Sequence, residues 1–506
     1  MKNHSVFIGI DDYVLPLMES CLESYRDLIV FSEENVSDIR AKLASVLSKD
    51  SKGRVTVCQG DRTDKTELEM LCLEVADEVY VLPGSTLLAD DSINLDVVKH
   101  ISEICDAYGR KGLKCTVVFK EDTAVECFEH SDFSYQIKKT LDFIPIVYAD
   151  SIARALLSGK VYDNGFLDRE TIDAESEKHI DFIILGLGNI GQAIFCQAAR
   201  QLHFPNFEKA RSRITVIGDD KEINTLKGRF RELFEAMGRD DSGSFIDIEI
   251  RTLLMNDSVT VESALDGATS SPESIVTVAI CTEDASTALR QALSLPRSVY
   301  ENSIPVWLYK PGSRSLTELI GNNKYYSNIK VFGEYNPAFR LDDSLLVAQR
   351  INWVYSFFSK TGLVPKNLPS AKEWEEIWIP AWQELSLSHK WSNLHHADSI
   401  PVKLRSLGID ASSEIQLTEN QIEQLVKVEH NRWVVETLLA GYRPPTDDER
   451  NEMISNRTLK QSFKEKLVHL DLCAFDELLP DANNVDVRDY DKVIVSCIPI
   501  ILQNEN

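Results

Sequence analysis

The chain has 506 residues, with 80 acidic against 54 basic side chains, a formal charge of −26, and 43% hydrophobic residues. At ~100–200 residues per domain this predicts about three domains, each long enough to bury a core. The surplus of carboxylates works against duplex nucleic-acid binding and disfavours docking on an anionic membrane, both of which need Lys/Arg-rich faces; a local pocket for a small anion stays open.

The amino end, MKNHSVFIGIDDYV, lacks the basic, apolar and small-residue order of a signal peptide, and no run of ~18 apolar residues occurs. Ten scattered cysteines without a CxxC pair point to reduced thiols. A cytoplasmic protein with no membrane insertion is expected.

In chain order, SVFIGI (5–10), DLIVF (27–31), RVTVCQG (54–60), EVYVLPG (78–84), KCTVVFK (114–120) and FIPIVYA (143–149) are apolar runs separated by helix-length segments such as Ser85–Arg110. Val/Ile-rich runs without alternation predict a parallel sheet covered on both faces. Polar residues 158–179 predict a linker, placed at 161–178. A second series follows: DFIILGLG (181–188), RITVIGDD (213–220), SFIDIEI (244–250), SIVTVAICT (274–282), IPVWLYK (304–310) and NIKVFGE (328–334). Beyond about residue 345 the pattern turns helical, and six tryptophans appear, leaving only Trp307 outside. The expected fold class is therefore α/β: two tandem Rossmann-like domains, 1–160 and 179–345, with doubly wound parallel sheets, then a mainly α-helical domain, 346–506.

The sharpest motif is Gly186-Leu187-Gly188-Asn189-Ile190-Gly191, between a predicted strand and a predicted helix. Its glycines suit a tight turn, backbone approach to a pyrophosphate, and close helix–strand packing; the helix N-terminus would hold the phosphates. The acid expected after the next strand is Asp219 or Asp220. This is late by the usual spacing, and a loop insertion at 204–213 accounts for the excess. The alternative is a Rossmann-like fold whose glycines only pack. In the first domain the equivalent turn, Gly9-Ile10-Asp11-Asp12-Tyr13, offers one glycine and two carboxylates, which would repel a pyrophosphate.

Gly60-Asp61-Arg62-Thr63-Asp64, Val75-Ala76-Asp77 and Asp91-Ser92-Ile93-Asn94 follow in order. With them the chain resembles the Trk/RCK (TrkA-N-like) family, nucleotide-binding regulatory domains of bacterial potassium-uptake systems. The second domain matches the glycine fingerprint and, through Thr282-Glu283-Asp284, part of the later pattern. This resemblance covers about residues 1–340. It implies a non-catalytic sensor binding NAD(H) or another adenine nucleotide, ADP-ribose-like, with Thr282 and Asp284 joining residues 186–191, Asp219 and Asp220 at the ligand. It also implies a homo-dimer or tetramer acting on a separate membrane transporter or effector.

The last domain carries Trp382-Gln383-Glu384-Leu385, Ser392-Asn393, Ala397-Asp398, Lys403-Leu404 and Gly408. Glu429-His430-Asn431-Arg432-Trp433, Gly441-Tyr442, His469, Phe475–Leu478, Asp491 and Ile498-Pro499 follow. This pattern is similar to the ryanodine-receptor repeat, the RyR domain, over roughly 372–502. It departs in Tyr442, where tryptophan is common, and in an irregular stretch at 446–466. The resemblance implies a ligand site of Asn393, Asp398, Lys403, Glu429, His430, Arg432, Trp433 and Tyr442. The architecture also suits bacterial nucleotide signalling or antiphage defence.

Read from the residues alone, Thr418 and Gln421 form a capping box for a helix over 421–440. On it Trp433 beside His430 and Glu429 suits a base, with Arg432 on a phosphate. The same residues equally suit a tryptophan core anchor with Glu and Arg bonding buried groups. His395 and His396 point roughly 100° apart on a helix, so no metal is expected. An NAD(P)-dependent oxidoreductase using the 186–191 loop, with His430 or His469 as acid/base, is the competing function.

Overall fold

The computed structural model describes residues 4–10, 15, 18, 21–22, 27–46, 54–83, 91–120, 122–129, 131–159, 166–238, 245–255, 258–310, 324–333, 342–411, 413–480 and 485–503. The chain forms two compact units, one chiefly Met1–Ala155, the other chiefly Leu156–Lys310 with Leu341–Asn506.

The first unit is built on β1 (His4–Ile8), β2 (Asp27–Ser32), β3 (Val55–Gln59), β4 (Glu78–Val81), β5 (Leu113–Phe119) and β6 (Leu141–Val147). These strands are parallel in the order β3-β2-β1-β4-β5-β6. Val6, Phe7 and Ile8 on β1, and Val79 and Val81 on β4, have no solvent exposure. Burial on both faces explains why these strands read as unbroken apolar runs. Pro145, which has no N–H for a ladder, sits on the edge strand β6, where proline is tolerated.

The second unit repeats the plan with β7 (His179–Leu185), β8 (Arg213–Gly218), β9 (Glu249–Leu254), β10 (Ser274–Ile280), β11 (Val306–Tyr309) and β12 (Ile329–Phe332), ordered β12-β11-β10-β7-β8-β9. Counted within each unit, both sheets have strand order 3-2-1-4-5-6, the doubly wound arrangement. Its switch point lies between the first and fourth strands: β1 and β4 in one unit, β7 and β10 in the other. The sheet order thus places Gly186 and Thr282 side by side.

One strand differs from the sequence reading. The apolar run 244–250 predicted a strand, but β9 starts at Glu249. Ile246 and Ile248 are buried at 1% and 2% as a lead-in. The edge strand takes its register from β8, starting at Arg213 opposite Glu249, whose side chains form an ion pair at 2.9 Å.

The helical part packs Asp342–Thr361, Leu387–Ser406, Glu419–Leu439 and Arg488–Ser496 around Ile351, Trp353, Trp382, Ile400 and Ile494. It shares a compact unit with the second sheet because the helix Asn189–Gln201 touches both. Even Gln192, Gln197 and Gln201 are buried on that helix. Within the polar stretch before β7, Asp168 and Arg169 are tied down. Asp168 accepts two 2.8 Å bonds from Arg405, and Arg169 donates to Thr277 and to the Val276 carbonyl. The helix predicted from Thr418 runs Glu419–Leu439 with its capping box formed, and the 446–466 stretch contains the helix Asp447–Ser455. No helix among the described residues is long and apolar enough to cross a membrane.

Candidate functional site

The loop after β7 is shaped by its glycines. Gly186 has φ +85°, and a Cβ there would lie 2.8 Å from the Thr282 backbone nitrogen. Only glycine combines that left-handed backbone with so close an approach. A Cβ on Gly191 would lie 2.0 Å from the Gly186 carbonyl oxygen, so the helix packs directly against the turn. Gly188 is the N-cap of Asn189–Gln201 and contributes no side-chain cap. The helix therefore opens with N–H groups at the switch point, and its dipole favours an anion there.

Those N–H groups already receive carboxylates from this chain. Leu187 N–H donates to Glu222 Oε1 at 3.0 Å, and Asn189 N–H donates to Glu283 Oε1 at 3.2 Å. Glu222 also closes a capping box with Asp219: Asp219 Oδ1 accepts from Glu222 N–H at 2.7 Å, and Glu222 Oε2 accepts from Asp219 N–H at 2.9 Å. Asp219 is thus engaged at the start of the helix Asp220–Arg229, while Asp220 accepts from the Asn224 amide at 3.1 Å. Thr282 Oγ1 donates to Gln291 at 2.7 Å. Asp284 caps the helix Ala285–Leu293, and its hydrogen bond from Thr287 holds its carboxyl below the ordinary range. The ten glycine-loop candidates therefore meet at one place, the C-terminal ends of β7, β8 and β10. Glu222 and Glu283 are the members the sequence reading missed. The Asp-x-x-Glu spacing of 219–222 signalled the first; the second lies inside the Thr282–Asp284 motif, of which only the flanking residues were assigned to the site.

The eight residues assigned to the helical part separate into groups. Lys403, Glu429 and Arg432 share a buried ion network. Glu429, with no exposure, accepts from Arg432 Nη2 at 2.9 Å, from Lys403 Nζ at 2.6 Å, and lies 3.2 Å from His396 Nδ1. Arg432, 2% exposed, also pairs with Glu436, which binds His395 Nδ1 at 2.8 Å. Burial pushes both carboxyls up, but Arg432 and its neighbours outweigh it, holding Glu429 well below the ordinary range and Glu436 at about 2. Burial takes His396 down to about 3, so its ring is neutral. The two histidines thus face different carboxylates.

His430, Trp433 and Tyr442 belong to an aromatic group. The Trp433 ring lies 6.0 Å from His430 and 4.9 Å from His469, which is 6.1 Å from Tyr442. His430 Nε2 bonds the Cys473 carbonyl at 2.8 Å, and its Nδ1 is 3.6 Å from Asp491. Burial carries His469 down to about 3. Asn393 stands apart, donating to the His389 carbonyl, and Asp398 accepts from Gln197 Nε2 at 3.0 Å. In the first unit, Asp11, Asp12 and Tyr13 of the corresponding turn lie outside the described residues.

No family model and no curated protein matches the chain in sequence. Among solved structures it is similar to GsuK bound to ADP, at 15% identity over 68% of this chain and 69% of that one, with a TM-score of 0.38. It is also similar to GsuK bound to NAD, at 14% over 70% and 66%, TM-score 0.39. A third is the human SLO3 gating ring, at 10% over 66% and 81%, TM-score 0.40. These are partial likenesses, and the fold described above rests on the strand order itself.

Proposed function

We propose that the second unit senses an adenine-nucleotide or NAD(H)-type ligand at residues 186–191 and relays its presence to the helical part without catalysing a reaction. The observation that carries this reading is the position of one helix, Asn189–Gln201. Its first turn closes the glycine loop; farther along, Gln197 bonds Asp398 and Arg200 lies in the field of Glu436. Thirteen residues span about 20 Å, so a shift at the loop moves groups beside the Glu429–Arg432–Glu436 network. The N–H groups that receive Glu222 and Glu283 are those a pyrophosphate would need, which supports an anion-accepting loop.

On this reading Arg432 is a buried counter-ion, and the RyR-like helical part is the output. A homo-oligomer acting on a separate transporter or signalling effector fits the Trk/RCK resemblance. Both histidines available to an oxidoreductase are engaged in the helical core, which favours the sensor.

The test is calorimetric titration of the full chain with ADP, ATP, NAD, NADH and ADP-ribose. A Cβ at Gly188 would meet only the far end of Glu283, at 2.6 Å, so Gly188→Asp is compatible with folding. It adds a carboxylate at the pyrophosphate seat and is expected to weaken binding at least ~tenfold. Unchanged affinity in the folded variant would remove the loop from the ligand site. Hydrogen exchange should also change within 395–403 and 429–436 when the ligand binds.

A further inference from the structure

We propose that the first unit holds a small oxyanion, a phosphate or carboxylate group, on the Arg62 guanidinium at the switch point of its sheet. The site is independent of the glycine loop in the second unit. Three pieces of chain converge there. Gly9, after β1, has φ +95°, and a Cβ on it would lie 3.2 Å from Arg62 Nη1. Leu82, after β4, accepts from Arg62 Nη1 at 2.7 Å. Asn94, from the helix Asp91–Ala107, accepts from Arg62 Nη2 through Oδ1 and donates to the Val118 carbonyl at 2.8 Å. The motifs 60–64 and 91–94 are thus two sides of one crevice, where ligands of open α/β sheets bind.

Arg62 is 4% exposed, yet no carboxylate among the described residues lies within ion-pair distance of it. The acids beside it in sequence turn away. Asp61 accepts the Thr63 N–H at 2.8 Å and its hydroxyl at 2.7 Å, and Asp64 caps the helix Lys65–Glu69. Asp91 accepts the Lys120 N–H at 3.0 Å. Glu33 acts on the guanidinium only through its field. Two of the five N–H donors of an arginine are used here, both on neutral acceptors, and Nε is buried with no partner. Burial lowers Arg62 to about 10, outweighing the opposing field of Glu33.

An uncompensated buried charge is costly, and proteins normally pair it or use it. The donors left over have the planar fork that takes two oxygens of one anion. The crevices of the two units therefore have opposite chemistry: carboxylates on N–H groups in the second, a cation on carbonyl groups in the first.

The experiment is titration of the full chain with inorganic phosphate and, separately, with malonate, at ionic strength held constant with chloride. Phosphate binding without malonate binding assigns a phosphoryl ligand; the reverse assigns a carboxylate. Arg62→Met should weaken the bound anion at least ~tenfold, the loss expected for a charge-assisted contact. In Gly188→Asp, which removes anion binding at the glycine loop, the Arg62-dependent binding should persist, which separates the two sites. The unaltered chain supplies a second readout: the Arg62 Nε–H resonance, assigned by its disappearance in Arg62→Lys, should shift with the anion and not with chloride. Equal binding by wild type and Arg62→Met would overturn the proposal. So would an Nε–H resonance that neither anion moves; Arg62 would then only brace Leu82 and Asn94.

Discussion

Replacing Arg432 by methionine separates a structural guanidinium from a ligand-binding one. Methionine keeps most of the stem, so the principal change is charge. Glu429 and Glu436 would remain buried, with Lys403 the other cation bonded to Glu429 and His396 neutral. Glu436 would lose its guanidinium partner and keep only the His395 Nδ1 bond and the field of Arg200. Breaking a buried pair in this way costs about 3–5 kcal/mol. At roughly 2 °C per kcal/mol for a unit this large, the melting temperature should fall by roughly 6–10 °C.

The pH dependence has a definite sign. In the wild type Glu436 is held at about 2, below its unfolded value, so its contribution is complete above ~4.3 and is lost as pH falls toward about 2. In Arg432→Met burial acts on the remaining carboxyls without their main counter-charge and raises them. The variant's deficit is then largest near pH 7 and narrows as pH falls toward 4. Adding Glu436→Gln leaves Glu429 facing Lys403 and should restore about half of the loss or more. Scanning calorimetry at pH 4–8 on the wild type and the two variants, with nucleotide titration of each, measures these differences. A melting temperature within ~1 °C of wild type, together with weakened nucleotide binding, would refute the counter-ion assignment and make Arg432 a ligand contact.

The remaining predictions concern the glycine loop. Glu283→Gln removes the exposed charge on the Asn189 N–H and should raise nucleotide affinity by roughly three- to tenfold, given ~0.5–1.5 kcal/mol for the competing hydrogen bond; unchanged affinity would mean that the ligand does not use this N–H. Gly191→Ala places a methyl 2.0 Å from a backbone oxygen, so the turn must move, at a cost of about 1–3 kcal/mol read as a lower denaturant midpoint. Gly228→Ala, where nothing lies within 4 Å, is the control and should be neutral or slightly stabilising.

The sheets were legible because a strand buried on both faces must be apolar along its length, and the chain writes that as Val/Ile runs. The glycine loop was legible because its three glycines each answer a local steric demand. Thr418 announced a helix start through its capping spacing, and the same spacing at Asp219 and Glu222 went unread. The site's partners were hidden wherever they come from distant sequence. Glu283 reaches Asn189 because β10 lies beside β7, and Lys403 reaches Glu429 from another helix. Arg432 to Glu436 is an i,i+4 pair and could have been found by spacing. The polar stretch before β7 read as a linker on composition, yet Asp168 binds Arg405, 237 positions away. The shift of β9 has the same origin: the runs identify apolar residues, whereas the register depends on Arg213 meeting Glu249.

On the proposed reading, a ligand arriving at the glycine loop must displace the chain's own carboxylates. At the glycine loop, Glu283 is exposed and bonds a single N–H, so it can swing into water at small cost. Glu222 cannot do so freely, because the same carboxylate closes the Asp219 capping box, and leaving would open a helix terminus as well. An incoming phosphate therefore finds the Asn189 side of the loop easier to enter than the Leu187 side. Asn189 begins the helix that carries Gln197 and Arg200 toward the buried network. On the proposed reading, the N–H group most easily released is thus the one at the head of the relay, whereas the Glu222 contact holds the turn in place.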